Sequence, residues 1–120
     1  MPPSEPPSSS SSSEIPSRYM RMHREHPEYM AAYESLGKAS RLAGPLSDRE
    51  VSLVKLAISI GAGLEGAAHS HCRKALDSGC TAEDLNHVAM LAAPTIGFPP
   101  MMRAKSWVED VVAKSPGGKK

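Results

Sequence analysis

Leu64-Glu-Gly-Ala-Ala-His-Ser-His-Cys-Arg-Lys-Ala-Leu-Asp-Ser-Gly79 is the stretch on which the reading of this chain turns. At about 100° per residue, Leu64, Ala67, Ala68, His71 and Ala75 fall within one sector of about 100°, so the segment reads as a helix with one apolar stripe. His71 sits near the middle of that stripe. Glu65, His69 and Arg73 follow at i, i+4 and i+8 on a different, polar face, and Gly79 suits the left-handed position that ends a helix. An imidazole on a buried stripe needs hydrogen-bond partners, or its desolvation costs about 1–3 kcal/mol. Its neighbours on the stripe are small and leave room beside the ring, which suits proton transfer near neutral pH. The plainer alternative is a core histidine satisfied by a backbone carbonyl.

Helix signals continue on both sides of this stretch, and strand signals are nearly absent. Upstream, Pro27 to Leu42 carries Tyr29, Tyr33 and Leu36 at i, i+4 and i+7, an apolar face, until Gly44-Pro45 stops it. Ser47 with Glu50 forms a capping box, and Val51-Ser-Leu-Val-Lys-Leu-Ala-Ile-Ser-Ile60 is apolar over most of its circumference. Such a helix is expected to be enclosed on several sides, by its own core or by a partner subunit. Gly61 and Gly63 loosen the chain before the central helix. Downstream, Thr81 with Asp84 opens a helix to about Pro94 that buries Leu85, Val88, Ala89 and Ala92. Phe98-Pro-Pro100 sets the entry to the last helix, where Met101, Ala104, Val108 and Val111 form one stripe with Trp107 beside it. The prediction is one all-α domain of about five helices over residues 18–114. A Pro/Ser-rich stretch with too little apolar surface to order occupies residues 1–17, and a flexible tail occupies 115–120.

The bulk properties narrow the function classes. With five aromatic residues in 120, the core must be built from Ala, Leu, Ile, Val and Met, a composition that often gains burial by oligomerising. The formal net charge is +1 with no basic run beyond Lys119-Lys120, so neither nucleic acid nor an anionic membrane is expected as a partner. No apolar stretch is long enough to span a bilayer, and the N-terminus lacks the basic-then-apolar order of a secretory signal, so a cytoplasmic location is expected.

The order His71-x-x-x-Ala75-x-x-x-Gly79, then Thr81-x-Glu83, then an alanine-rich helix ending Gly97-Phe98-Pro99 resembles the carboxymuconolactone decarboxylase and alkylhydroperoxidase-D-like superfamily. Leu46-Ser-Asp-Arg-Glu50, leading into a buried helix, is similar to the family's helix before the motif. The resemblance covers about Pro27 to Val112. It implies an all-α homo-oligomer, a trimer or a hexamer, acting on a small-molecule substrate without a cofactor. The peroxidase branch uses a Cys-x-x-Cys pair whose second cysteine lies four residues before the motif histidine; Leu64 and Ala67 stand in those places. The branch's relay glutamate corresponds to Ser52. Peroxide reduction by that route needs a thiolate and a second thiol to resolve the sulfenate, and Leu and Ala supply neither. The decarboxylase branch acts on gamma-carboxymuconolactone in aromatic catabolism, which casts His71 as proton donor. Glu65 then orients a histidine or forms the pocket rim, and Arg73 or Arg103 holds a substrate carboxylate.

Other chemistries have weaker support. Cys72 and Cys80 are eight residues apart across a helix end, about 12 Å along a helix, whereas a disulfide needs Cα atoms within about 7 Å. Free cysteines are commonly small buried hydrophobes, so no redox role is expected for them. His69 and His71 point to nearly opposite sides of a helix and cannot share an ion; His69 and Cys72 have a usable spacing but no visible third ligand, so no metal site is expected. Two alternatives to a decarboxylase stay open: a non-catalytic, ligand-binding helical oligomer, and a divergent thiol peroxidase built on Cys72, which requires an exposed, reactive thiol.

Overall fold

The computed structural model describes residues 17–115, and the expected tails at 1–16 and 116–120 lie outside the described residues. Among the described residues every regular element is helical: α1 (Ser17–Glu25), α2 (Pro27–Leu42), α3 (Asp48–Gly61), α4 (Glu65–Asp77), α5 (Ala82–Met90), α6 (Ala93–Ile96) and α7 (Phe98–Lys114). The all-α expectation holds. The element count is higher than about five because α1 forms ahead of the first expected helix and the helix expected to reach Pro94 breaks at Leu91. Contacts divide the chain into two compact units, one up to Pro45 and one from Leu46 onward. Among the described residues no helix is long and apolar enough to cross a membrane.

In the first unit, Pro27 starts α2 where its missing N–H costs nothing. The α1–α2 pairing is polar: Glu34 of α2 accepts from the Tyr19 hydroxyl at 3.2 Å and lies 2.9 Å from His23 Nε2, with Tyr19 edge-on to the His23 ring. The expected apolar face of α2 is open instead of buried, with Tyr29 68%, Tyr33 60% and Leu36 63% exposed, and Met30 is the residue α2 buries.

The second unit is built around α4, which packs most extensively on α3 and next on α7, while α5 also packs on α7. Its core joins Leu56 and Ile60 of α3, Ala68, Cys72 and Ala75 of α4, Leu85 and Ala89 of α5, and Ala104, Trp107, Val108 and Val111 of α7. Most of these are small, so the helices approach closely, and burial of each larger aliphatic side chain contributes about 1.5–3 kcal/mol. The helix starts are those expected. Ser47 Oγ accepts the Glu50 N–H at 3.1 Å while Glu50 Oε1 accepts the Ser47 N–H at 2.8 Å. Thr81 and Asp84 make the same reciprocal pair at 3.1 and 2.8 Å. Arg49 Nη2, 2.6 Å from Asp84 Oδ1, then ties the start of α3 to the start of α5.

Glycine controls both ends of the central hairpin. At the end of α3, Gly63 takes φ 74°, letting the Leu64 N–H reach Ser59 O at 3.0 Å and the Gly63 N–H reach Ile60 O at 2.9 Å. Gly79, at φ 99°, repeats the arrangement after α4, with the Cys80 N–H on Ala75 O at 2.9 Å and its own N–H on Leu76 O at 3.1 Å. Each is a Schellman closure, which satisfies the last carbonyls of its helix and fixes where the next helix begins. Within one chain the α3 helix buries Ser52, Leu56, Ser59 and Ile60, while Val54 is 43% and Ile58 64% exposed.

Candidate functional site

The central helix buries a line slightly different from the expected stripe. Ala68, Cys72 and Ala75 are each 0% exposed, while Leu64 is 54% exposed and Ala67 and His71 are half-buried. Three residues subtend about 300°, so His71 lies about 60° to one side of Ala68, and Cys72 about 40° to the other. The buried meridian is therefore rotated toward Cys72, and His71 stands on the flank of the core where its middle was expected. The cause is packing: α7 covers the Cys72 side of α4 with Trp107, Val108 and Val111, and the sequence of α4 alone carries no trace of that.

The residues matched to the peroxidase motif carry no redox chemistry. Leu64 and Ala67 are aliphatic, and the relay position holds Ser52, which is 3% exposed. The Ser52 hydroxyl has no hydrogen-bond partner among the described residues. Leaving a buried hydroxyl unpaired costs about 1–3 kcal/mol, so this site on α3 is polar where packing alone favours a methyl group. Its neighbour on the same buried line, Ser59, is satisfied by donating to Lys55 O at 3.0 Å.

Both cysteines are free and buried. Burial pushes the Cys72 thiol up to about 12, only partly opposed by the Arg73 charge. At neutral pH the thiolate fraction at such a value is about one in 10⁵, and the sulfur is sealed from solvent. Burial also raises the Cys80 thiol, with the Asp84 carboxylate adding to the shift and Arg49 opposing it. The exposed, reactive thiol required by a Cys72 peroxidase is absent.

The other candidates occupy separate places. Two residues turn about 200°, so Arg73 and His71 project from opposite sides of α4. Arg103 lies on α7 with its guanidinium 5.5 Å from the centroid of the Trp107 ring, a cation–π contact one helical turn long. Glu65 does not meet His71 either; its carboxylate is 3.9 Å from His69 Nε2. Asp110 of α7 completes that group, with Oδ2 3.3 Å from the same nitrogen. The third group missing beside His69 in the sequence is thus supplied from 41 residues away, and nothing in the local pattern of either helix pairs them. An open depression on α1, lined by Ser17, Arg18, Tyr19, Arg21 and Met22, contains none of the candidate residues.

No curated protein and no solved structure matches the chain significantly. The model of the carboxymuconolactone decarboxylase family, in contrast, matches residues 27–110, from the first residue of α2 through most of α7. That span contains His71 with its helix, the helix before it and the helix that covers it. By this match over most of its length, in the order of elements that the motif requires, the chain belongs to the carboxymuconolactone decarboxylase family.

Proposed function

We propose that the protein is a carboxymuconolactone decarboxylase-like carboxy-lyase acting on a small carboxylated, unsaturated lactone in aromatic catabolism, with His71 as the proton donor. The observation that supports this reading is the family match over residues 27–110 together with a half-buried histidine, His71, inside the matched span. A histidine on the flank of a core is sheltered on one side and reachable from the other, as a proton donor to a bound substrate must be. In the reaction the bond between the carboxylate carbon and the ring breaks, carbon dioxide leaves, and the electron pair stays behind as an extended enolate. The His71 imidazolium delivers a proton to carbon, and the neutral imidazole regains one from solvent.

The same reading includes a homo-oligomer, a trimer or a hexamer. Val54 and Ile58 on α3, with Leu64, Phe98 and Met102 in the same unit, are large apolar side chains about half exposed. Burying such residues against a second copy is favourable at about 25 cal/mol per Å².

The test is ultraviolet-monitored turnover of gamma-carboxymuconolactone by the purified protein beside His71→Ala. The expected result is turnover by the wild type and a loss of 10²-fold or more in the variant, about the scale of general acid catalysis, at unchanged helicity and oligomer size. Absence of wild-type turnover sinks the substrate assignment. A second reading, a non-catalytic ligand-binding oligomer, draws on Arg73 projecting from the side of α4 opposite His71 and on the Arg103 guanidinium resting over Trp107. It predicts saturable ligand binding with no product formed.

A further inference from the structure

On the face of α4 away from His71, Glu65, His69 and Asp110 each turn one ligand atom toward the others, all within 4.8 Å of one another. His69 Nε2 lies 3.3 Å from Asp110 Oδ2 and 3.9 Å from Glu65 Oε2. Two features make this more than a chance meeting of surface charges. Glu65 and His69 are one turn apart on one helix, the spacing that directs two ligands to one point. Asp110 comes from α7, whose Ala104, Trp107, Val108 and Val111 share a core cluster with Ala68, Cys72 and Ala75 of α4, so the third ligand is delivered by a fixed helix pair and not by a loop.

We propose that Glu65, His69 and Asp110 form a binding site for a first-row divalent transition cation, zinc above all, that staples α4 to α7. Zinc bonds to imidazole nitrogen and carboxylate oxygen are about 2.0–2.2 Å, so tetrahedral ligands stand about 3.3–3.5 Å apart. The His69–Asp110 separation already fits, and the Glu65 carboxylate needs to move by about 1 Å or less relative to His69. The side-chain exposures are arranged for that: His69 is held at 20%, while Glu65 and Asp110 are 59% and 55% exposed and free to close on an ion. Two carboxylates and a neutral imidazole carry a charge of −2, which one dication cancels. The imidazole selects zinc and its neighbours in the first transition row over magnesium and calcium, which take oxygen ligands. Three protein ligands leave the fourth position to water. About 200° of helix separates His69 from His71, so this ion takes no part in the proton transfer proposed for His71.

The experiment is zinc titration of the chelator-treated full chain by calorimetry, with cobalt(II) absorption as the geometric readout and magnesium as the comparison ion. One zinc per chain is expected, together with visible cobalt bands, a raised thermal midpoint and no magnesium response. His69→Ala, and the near-isosteric Asp110→Asn and Glu65→Gln, are each expected to weaken zinc binding by at least tenfold, since even outer-shell partners act on the scale of about 10–100-fold. Helicity by circular dichroism confirms that each variant is folded, and His87→Ala, elsewhere on α5, is expected to bind as the wild type does. Two results overturn the proposal: no zinc bound by the wild type, which reduces the cluster to a histidine bridging two carboxylates, or binding that survives His69→Ala unchanged.

Discussion

The buried thiol of Cys72 offers the sharpest test of how α4 is packed. Cys72 is 0% exposed, and burial raises its titration from 9.0 to about 12. Three pH units at about 1.36 kcal/mol each correspond to a stability term on the order of 4 kcal/mol. The sign follows from proton counting. Above pH 9 the unfolded chain releases this proton and the native chain keeps it, so unfolding is favoured as pH rises. The contribution is therefore complete below the unfolded value and is lost progressively as pH climbs toward the native value. At pH 10.5 the loss comes to about 2 kcal/mol. The measurement is urea unfolding of the wild type and Cys72→Ala at intervals from pH 8 to 10.5. Loss of the sulfur leaves a small cavity whose cost is the same at every pH, and lysines, tyrosines and Cys80 titrate in both proteins. The stability difference between the two proteins is expected to narrow by about 2 kcal/mol over that range. A difference that stays constant would refute the desolvation argument. So would rapid labelling of Cys72 by a disulfide reagent in the native protein at pH 8, which would also restore the thiol-peroxidase alternative.

Two further outcomes follow from the local geometry. Asp84 caps α5 and pairs with Arg49, and the Thr81 backbone N–H, followed by the Thr81 hydroxyl and Arg49, holds its carboxyl below the usual value of 3.8 despite an opposing desolvation effect. Asp84→Asn, which keeps an acceptor oxygen but removes the charge, is expected to cost about 0.3–1 kcal/mol near neutral pH, and by linkage its deficit should shrink as pH falls from above 3.8 through the lowered native value, as read by acid unfolding of both proteins. Alanine at two glycines should act with opposite signs in thermal melts: Gly97, at φ 116° with a new Cβ meeting Pro100 Cδ at 3.5 Å, should lose about 1–3 kcal/mol, whereas Gly37, in open space inside α2, should gain about 0.5–1 kcal/mol.

The sequence was most informative where structure is set by groups close along the chain. Both capping boxes, the Gly79 closure and the span of α2 depend on residues within five positions of each other, and all are present as read. The family was legible for a related reason: the spacing from His71 through Gly79 to the Gly97-Phe98 turn is a linear pattern. What escaped was whatever depends on a partner helix. Cys72, outside the stripe expected to be buried, is 0% exposed in the core that α4 shares with α7, and the rotation of the buried line by one side chain moved His71 from centre to flank. The nine-residue α1, joined to α2 through Glu34, is polar overall and buries no residue, so it offered no core signal.

The residues that precede His71 on α4 bear directly on the decarboxylation proposed for it. In the dithiol branch the two cysteine positions precede the histidine on the same side of the helix, and here that side presents Leu64, 54% exposed, and the half-buried Ala67. Aliphatic groups at those places close off thiol chemistry but leave the flank of α4 next to His71 apolar and lined by a small side chain. In the proposed reaction a carboxylated substrate placed there is partly desolvated, and spreading the localised carboxylate charge over the extended enolate as carbon dioxide leaves is favoured in a less polar setting. An apolar flank of this kind is what the proposed decarboxylation calls for. Restoring polarity tests that idea apart from the histidine itself: Ala67→Ser, sterically small and half-buried, should slow turnover of the lactone while leaving helicity and oligomer size unchanged. Equal turnover by Ala67→Ser and the wild type would mean that the apolar flank does no more than fill space.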